Sequence, residues 1–235
     1  MLLKSYIAEY SRSAFMNLDA ALHDVLVAIP LFIYVLIIVS VVARRVYRAM
    51  IERGFPKNVA VYYNRKLIHI TTGGFIALML PILFREPFVP FAFALILAFI
   101  TLYPHISKKE FEWFQTRDNA YEVNFCIAWG ATILILWLAL GDPWRAVVPA
   151  LFISFGDAIT GVVRNAVFGR RTKHWLGNVA MALVVIPVGY LLAGVVGVAA
   201  GAIATAVERI EFGLIDDNVL IAFSATAVLL LFQAL

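Results

Sequence analysis

Charged and small residues interrupt an otherwise apolar stretch between Ser154 and Asn178, S-F-G-D-A-I-T-G-V-V-R-N-A-V-F-G-R-R-T-K-H-W-L-G-N. Its acidic residue is Asp157, and its basic end is formed by Arg170, Arg171 and Lys173. Ionisable side chains inside an apolar span are costly to bury and therefore count as a hypothesis of a functional site. This stretch is the first place to look for chemistry.

Three further polar groups accompany that stretch along the chain. They are Arg65-Lys66 with His69, Glu122 with Asn124, and Glu208 followed by Asp216-Asp217-Asn218. We expect all four groups to meet on one side of the protein. His69 could also be an ordinary interfacial side chain, since polar residues mark sites only statistically.

These residue types suit the transfer of a phosphoryl group from a nucleotide. Mg²⁺ binds one or two carboxylates together with phosphate oxygens, so Asp157 with Glu208 or Asp217 predicts a metal site. Gly161 and Gly169 would let backbone amides approach phosphates. Arg170, Arg171 and Lys173 would stabilise the charge on the departing diphosphate. One of the Asp216-Asp217 carboxylates is a candidate base. Alternatively, Asp157 is a structural partner of Arg164, two turns further along the same helix.

Composition indicates the class of protein that carries these residues. Hydrophobic residues make up 63% of the 235 residues and charged residues 14%, with a mean hydropathy of +0.90, which predicts an integral membrane protein. The apolar runs are long and uncharged, which is typical of membrane-spanning helices and not of barrel strands. The single cysteine, Cys126, excludes an intrachain disulfide and a cysteine-based metal cluster.

The hydropathy pattern predicts an all-α bundle of about eight spans in one domain, residues 1–235, preceded by an interfacial segment at residues 1–22. A polar connector is expected from Arg44 to Lys66. The expected spans are 24–43, 67–84, 87–103, 121–140, 144–163, 176–193, 195–207 and 219–235. The seventh is rich in Gly and Ala, which favours close packing inside the bundle.

The basic residues predict the orientation of these spans. With eight spans, 15 of the 19 Lys and Arg residues fall on one side of the membrane. The remaining four, Lys4, Arg12, Arg85 and Arg145, fall on the other side. Cytoplasmic loops carry the excess of Lys and Arg, so both termini are expected outside and the site on the cytoplasmic face. We expect a multi-pass protein of a prokaryotic cell membrane.

Three motifs resemble the family of CTP-dependent lipid kinases that includes dolichol kinase, phytol kinase and the fungal-type diacylglycerol kinase. R-K-L-I-H-I at 65–70 is similar to the family's Arg-Lys-x-x-His signature. G-D-A-I-T-G-V-V-R-N-A-V-F-G-R-R-T-K at 156–173 resembles its Gly-Asp-Ala segment, and A-T-A-V-E-R-I-E-F-G-L-I-D-D-N-V at 204–219 resembles its closing acidic pattern. The kinase-like region covers 65–235.

The resemblance implies CTP as the phosphoryl donor, Mg²⁺ as the metal, and a membrane-embedded alcohol such as dolichol, phytol, geranylgeraniol or diacylglycerol as the acceptor, with no nucleic acid partner. Its motif positions are Arg65, Lys66, His69, Asn124, Gly156, Asp157, Gly161, Gly169, Lys173, Glu208, Asp217 and Asn218. The sequence departs from the family pattern at Leu176-Gly177-Asn178, where the family has a Glu-Gly-Ser type of turn.

Two other functions compete with this prediction. A CTP-dependent cytidylyltransferase would use the same donor, but the Pro-Gly-His-Gly-Gly signature of the CDP-diacylglycerol synthases is absent. A small transporter could place buried acids at a midplane site, although the acids here collect near one membrane face. An ATP-using P-loop kinase is excluded because the chain has no G-x-x-x-x-G-K-[ST] motif.

Overall fold

The computed structural model describes residues 18–169, 172–210 and 215–232, and these residues form helices and loops without a β-strand. We number the helices in chain order: α1 (Leu18–Glu52), α2 (Lys57–Leu83), α3 (Phe88–Ser107), α4 (Tyr121–Leu140), α5 (Pro143–Phe168), α6 (Trp175–Val207) and α7 (Asp217–Leu231). Most of the predicted interfacial segment, together with Arg170 and Arg171, lies outside the described residues.

Six of these helices, α1 to α6, are long and apolar enough to cross a membrane, which makes the chain a multi-pass membrane protein. The all-α prediction is therefore confirmed for the described residues. The predicted number of eight spans is not confirmed, because α6 counts as one long helix and α7, at 15 residues, is shorter than a typical span. The orientation also stays a prediction.

The chain reverses direction in the middle of α6. Ala193 (φ −139°, ψ 15°) and Gly194 (φ 60°, ψ −142°) leave helical geometry, and only glycine readily adopts such a positive φ. On either side of this turn Gly189 faces Gly197 so closely that a Cβ on either would collide with the other's backbone. Residues 175–192 and 195–207 therefore form an antiparallel hairpin.

Replacing Gly197 by valine is expected to destabilise the protein by about 1–3 kcal/mol, because the new side chain must push the two backbones of the hairpin apart. The measurement is the thermal unfolding midpoint in detergent. Ala202→Val, at an exposed position of the same helix, is the matched control and should leave the midpoint nearly unchanged. Equal midpoints for the two variants would contradict the hairpin.

The predicted polar connector from Arg44 to Lys66 is mostly helical, which corrects the sequence-based expectation. α1 continues to Glu52 and α2 begins at Lys57, so only a short turn separates them. Buried Asn64 donates hydrogen bonds to the Ala43 carbonyl oxygen (2.9 Å) and to the Trp113 carbonyl oxygen (2.7 Å). This amide therefore joins the two extended helices to each other and to the loop after α3.

Three of the helices contain a π-helical turn. The turns are Ile38–Val42 in α1, His69–Gly74 in α2 and Phe152–Gly156 in α5. One additional residue rotates the following helix face by about 100°, and such turns are frequent at functional sites. The indole nitrogen of Trp129 donates to the Gly73 carbonyl oxygen at 3.1 Å and the Tyr34 hydroxyl to that of Thr71 at 2.8 Å. Side chains of neighbouring helices thus bind backbone groups in the α2 turn.

Helix α5 lies at the centre of the bundle. Its apolar span is 78% buried, against 11% for α1, and Phe152 at its π turn is completely enclosed. Gly73 and Gly74 of α2 let that helix approach α4 and α5, since a Cβ on Gly73 would collide with Phe125 of α4 and Ser154 of α5, and one on Gly74 with the Phe155 ring of α5. Asp157 follows the π turn of α5 directly and is consequently fixed in the interior.

Candidate functional site

A polar cavity of about 200 Å³ lies between α2, α5 and the segments that contain Lys173, Glu208 and Asp217. It contains eight of the residues predicted from sequence: Arg65, Lys66, His69, Asp157, Lys173, Glu208, Asp217 and Asn218. Its other polar lining residues are Asn58, Tyr62, Thr116, Asp118, Asn119, Tyr121, Arg164, Asn165 and Thr172. The structure therefore brings together residues that are up to 153 positions apart in the sequence, from Arg65 to Asn218.

Lys66 and Asp157 form a buried ion pair across the cavity. The Lys66 Nζ lies 2.5 Å from Asp157 Oδ2, and the two residues are 8% and 2% exposed. His69 Nδ1 lies 3.7 Å from the same carboxylate oxygen. A Cβ on Gly161 would collide with the Lys66 side chain, so this glycine provides the space through which Lys66 reaches α5.

Arg164 and Glu208 form a second buried ion pair. The guanidinium donates two hydrogen bonds to the Glu208 carboxylate, at 2.7 and 2.8 Å, and another to the His174 carbonyl oxygen. The alternative pairing of Asp157 with Arg164 is not found, because Arg164 is engaged by Glu208 and Asp157 by Lys66. Planar bidentate pairs of this kind are geometrically rigid.

The departure at Leu176-Gly177-Asn178 belongs to this second pair. Asn178 accepts a hydrogen bond from Arg164 (3.0 Å) and donates to Glu208 (3.2 Å) and to the Thr205 carbonyl oxygen (2.7 Å). A Cβ on Gly177 would collide with the Arg164 guanidinium. Gly177 thus leaves room for the Arg164 guanidinium, and Asn178 bonds to both Arg164 and Glu208. These contacts explain why a glycine and an amide side chain occupy the two positions.

Lys173 connects the loop before α6 to the start of α7. Its Nζ donates to Asp217 Oδ2 and to the Glu208 carbonyl oxygen, both at 2.9 Å, and lies 3.5 Å from Glu208 Oε1. The side chain is 29% exposed, more than the other two cations of the cluster, Lys66 and Arg164. Lys173 is consequently the cation of the three most accessible from the cavity.

Carboxylate oxygens of Asp157, Glu208 and Asp217 all lie within 4.8 Å of one another. Hard oxygen ligands of this kind are those that Mg²⁺ prefers, so the three side chains fit the predicted metal site. Glu208 is held by Arg164 and Asn178, whereas Asp157 and Asp217 are held mainly by lysines. Asp157 and Asp217 are therefore the better candidates for exchanging a cationic partner.

Asp216 has a different environment from its neighbour Asp217. It does not line the polar cavity, and its side chain caps α7 by accepting hydrogen bonds from the Val219 backbone and the Asn218 amide. Burial raises the pKa of the Asp216 carboxyl to about 6. Of the two candidate bases, only Asp217 lies where a substrate in the cavity could contact it.

Several buried polar atoms that belong to lining residues have no hydrogen-bond partner among the described residues. They are His69 Nδ1, Thr116 Oγ1, Asn165 Oδ1, Thr172 Oγ1 and Asn218 Oδ1. Buried polar atoms are almost always paired in folded proteins, with protein, water or a ligand. Their number in this one cavity favours a site that binds a polar molecule.

Four of the predicted nucleotide-binding residues do not line the cavity: Asn124, Gly156, Gly161 and Gly169. A Cβ on Gly156 would collide with Val185 of α6, which shows close packing at this position. Gly169 ends α5 with a φ of +64°, in the left-handed region. A contact of these residues with nucleotide stays a prediction, as it does for Arg170 and Arg171.

A buried polar cluster beside Arg65 includes two residues, His105 and Gln115, that were not assigned to the site from the sequence. His105 Nε2 lies 2.5 Å from Glu122 Oε1, which also accepts a hydrogen bond from Gln115 at 2.7 Å. The other Glu122 oxygen lies 4.0 Å from Arg65, whose guanidinium also stacks on Tyr121. This cluster positions Arg65 at the cavity. Glu122 is the one member of this cluster, apart from Arg65, that was named from the sequence.

The fold and the cavity together define a multi-pass helical membrane protein with a buried cluster of ion pairs beside a polar cavity. Comparisons of the chain with protein-family models, with curated proteins and with solved structures find no match. Function is therefore argued from the site and from the sequence motifs.

Replacing Glu208 by glutamine is expected to lower stability by about 3–5 kcal/mol, because it leaves the buried Arg164 guanidinium without its counter-ion. Glu112→Gln is the matched control: its pair with Lys57 is largely exposed, so the expected loss is at most about 1 kcal/mol. Both are measured as shifts of the unfolding transition in detergent. Combining Glu208→Gln with Arg164→Met should recover part of the loss, and no recovery would contradict the explanation by unpaired charge.

Proposed function

We propose that this chain is a membrane phosphotransferase that transfers the γ-phosphoryl group of CTP to the hydroxyl of a membrane-embedded isoprenoid alcohol. The observation that carries the proposal is the cavity in which three carboxylates within 4.8 Å of one another meet Arg65, Lys66 and Lys173. Phosphoryl transfer depends on positioning and electrostatics and needs no special nucleophile. The cavity offers both: carboxylates that could hold a metal ion and basic side chains that could hold phosphate oxygens.

The charges of the cluster match a nucleotide and a divalent cation. Asp157 and Asp217, with Glu208, would hold Mg²⁺, which would supply charge neutralisation for the phosphates. Lys66 and Lys173 would then leave their carboxylate partners for phosphate oxygens, which are equally good acceptors of charge-assisted hydrogen bonds. Arg164 keeps Glu208 in place during this exchange, because its two hydrogen bonds to the carboxylate, at 2.7 and 2.8 Å, do not depend on the longer contact with Lys173.

In the proposed reaction the lipid hydroxyl oxygen forms a bond to the γ-phosphorus while the bond from that phosphorus to the β,γ-bridging oxygen breaks. The products are a lipid monophosphate and CDP, and the hydroxyl proton passes to solvent or to Asp217. Lys173, the most exposed cation of the three in the cluster, is suited to stabilise the charge that grows on CDP. Lys66 next to Asp157 is suited to the transferred group.

The choice of CTP and of a lipid alcohol is supported by the sequence motifs. Arg65, Lys66 and His69 of the first motif, Asp157 and Lys173 of the second, and Glu208, Asp217 and Asn218 of the third all line the one cavity. A shared catalytic site requires motifs from distant parts of the chain to meet in this way. A structural salt bridge needs only its two partners, so it would not bring all three motifs together.

We infer further that the chain crosses the membrane eight times, with the cavity on the cytoplasmic side. The reversal at Ala193–Gly194 supports two crossings within α6, and α7 supplies a short eighth. With this topology the inner ends of α5, of the α6 hairpin and of α7 fall on the side that receives most of the Lys and Arg residues.

The decisive assay incubates purified protein with Mg²⁺, a lipid alcohol and either CTP or ATP labelled in the γ-phosphate. We expect labelled lipid monophosphate from CTP, and CDP as the second product. Release of diphosphate with a CDP-lipid would instead identify a cytidylyltransferase. Absence of any product with dolichol, phytol, geranylgeraniol and diacylglycerol would overturn the proposal and return attention to a transporter.

Replacing Asp157 by asparagine is expected to reduce turnover at least about 100-fold, since it removes a negative charge from the proposed metal and phosphate site. Asp142→Asn is the matched control, because Asp142 caps α5 outside the cavity and asparagine is an equally good cap. Elution volume in detergent verifies the fold of both variants. Full activity of Asp157→Asn would contradict the assignment.

A further inference from the structure

Two apolar cavities of about 80 Å³ each lie in the bundle beside the polar cavity. The nearer one shares Arg65 and His69 with the polar cavity. The farther one, between α1, α2, α3 and α4, shares Val35, Leu97, Phe125 and Cys126 with the nearer one. The three spaces therefore lie side by side, in order from the polar site towards the opposite end of the bundle. We name the two apolar cavities together the apolar path.

His69 stands where the polar cavity meets the apolar path. Its ring stacks on Phe125, with the ring centroids 3.9 Å apart. Its buried Nδ1 atom, which has no hydrogen-bond partner among the described residues, lies 3.7 Å from Asp157 Oδ2. One face of this side chain is therefore apolar and packed, while a ring nitrogen remains available to a hydroxyl beside the carboxylate.

The lining of the apolar path indicates what could occupy it. The farther cavity is lined by aliphatic and aromatic side chains and has no charged residue; its one hydroxyl, that of Thr72, donates to the Ile68 carbonyl oxygen at 2.7 Å. A charged headgroup is excluded from such a space, because desolvation would not be compensated. A hydrocarbon chain is the ligand class that fits.

Length and width restrict the ligand further. Along α2, the distance from His69 at the junction to Phe84 at the far end is about 20 Å at 1.5 Å per residue. Where the two cavities meet, Val35, Leu97, Phe125 and Cys126 form the shared wall. At about 80 Å³ each, the two cavities hold a segment of one hydrocarbon chain and leave no room for a second chain beside it.

We propose that the apolar path binds the segment of hydrocarbon chain next to the hydroxyl group of a single-chain lipid alcohol and presents that hydroxyl at His69, beside Asp157. This inference rests on the proposed function, which it deepens by naming the residues that bind the acceptor and by restricting the acceptor to one hydrocarbon chain. Diacylglycerol, with two chains, is excluded as the preferred acceptor. Ordinary bilayer lipid, whose headgroup is charged, is the occupant to be distinguished experimentally.

Leu97→Trp tests the path because it fills the junction of the two apolar cavities. Leu95→Trp is the matched control: the same substitution on the same helix, at an exposed position that lines neither cavity. Cys126→Phe with its control Ile127→Phe repeats the comparison on α4, should the tryptophan variant fail to fold. The first readout is saturable binding of tritiated geranylgeraniol to purified protein in nanodiscs, and the second is phosphorylation of the same alcohol.

We expect Leu97→Trp and Cys126→Phe to weaken geranylgeraniol binding at least tenfold, while each control stays within about twofold of the unaltered protein. Unlabelled diacylglycerol should compete at least tenfold less well than unlabelled geranylgeraniol. Equal binding by path variants and controls, equal competition by diacylglycerol, or no saturable binding above that of empty nanodiscs would each overturn the inference.

The two readouts separate this inference from the proposed function. Binding that depends on the path without phosphorylation by any nucleotide supports the path and contradicts the phosphotransferase. Phosphorylation that is equal in path variants and controls supports the phosphotransferase and contradicts the path.

Discussion

Each of the three carboxylates that meet at the polar cavity, those of Asp157, Glu208 and Asp217, is neutralised by a basic side chain from another segment of the chain. Lys66 of α2 pairs with Asp157 of α5, Arg164 of α5 with Glu208 at the end of α6, and Lys173 with Asp217 of α7. A buried charge without a partner costs several kcal/mol, so each pair obliges two segments to stay together. The convergence of α2, α5, α6 and α7 around one cavity follows from this requirement for neutrality.

The pairs differ in how easily they could exchange partners. Arg164 donates to Glu208 through two nitrogens and to two further acceptors, a planar arrangement that fixes both side chains. Lysine ammonium groups make no comparable fork and can turn towards another anion with little rearrangement. The rigid pair of Arg164 and Glu208 thus maintains the shape of the cavity, whereas the two lysine–aspartate pairs are suited to exchange partners with a ligand.

Sequence reasoning anticipated the membrane class and the eight cavity residues, because apolar runs and isolated charges are local signals. It did not identify the partner of Arg164, since spacing along a helix suggested Asp157 whereas the actual partner, Glu208, is 44 residues away. The π turns at His69 and before Asp157 were also missed, because no local pattern of residues marks them. The continuation of α1 beyond Arg44 was missed because its basic residues are typical of a connector and its contact with Asn64 is long-range.

The shortness of two helices determines how deep the site lies. Residues 195–207 and the 15-residue α7 rise only about 20 Å each, whereas a hydrocarbon core is about 30 Å thick. In the proposed eight-span topology, helices this short leave Glu208 and Asp217 below the headgroups of one leaflet. In that topology the polar cavity forms a recess in the bilayer, where the hydroxyl of an embedded lipid could meet a soluble anion without the lipid leaving its leaflet.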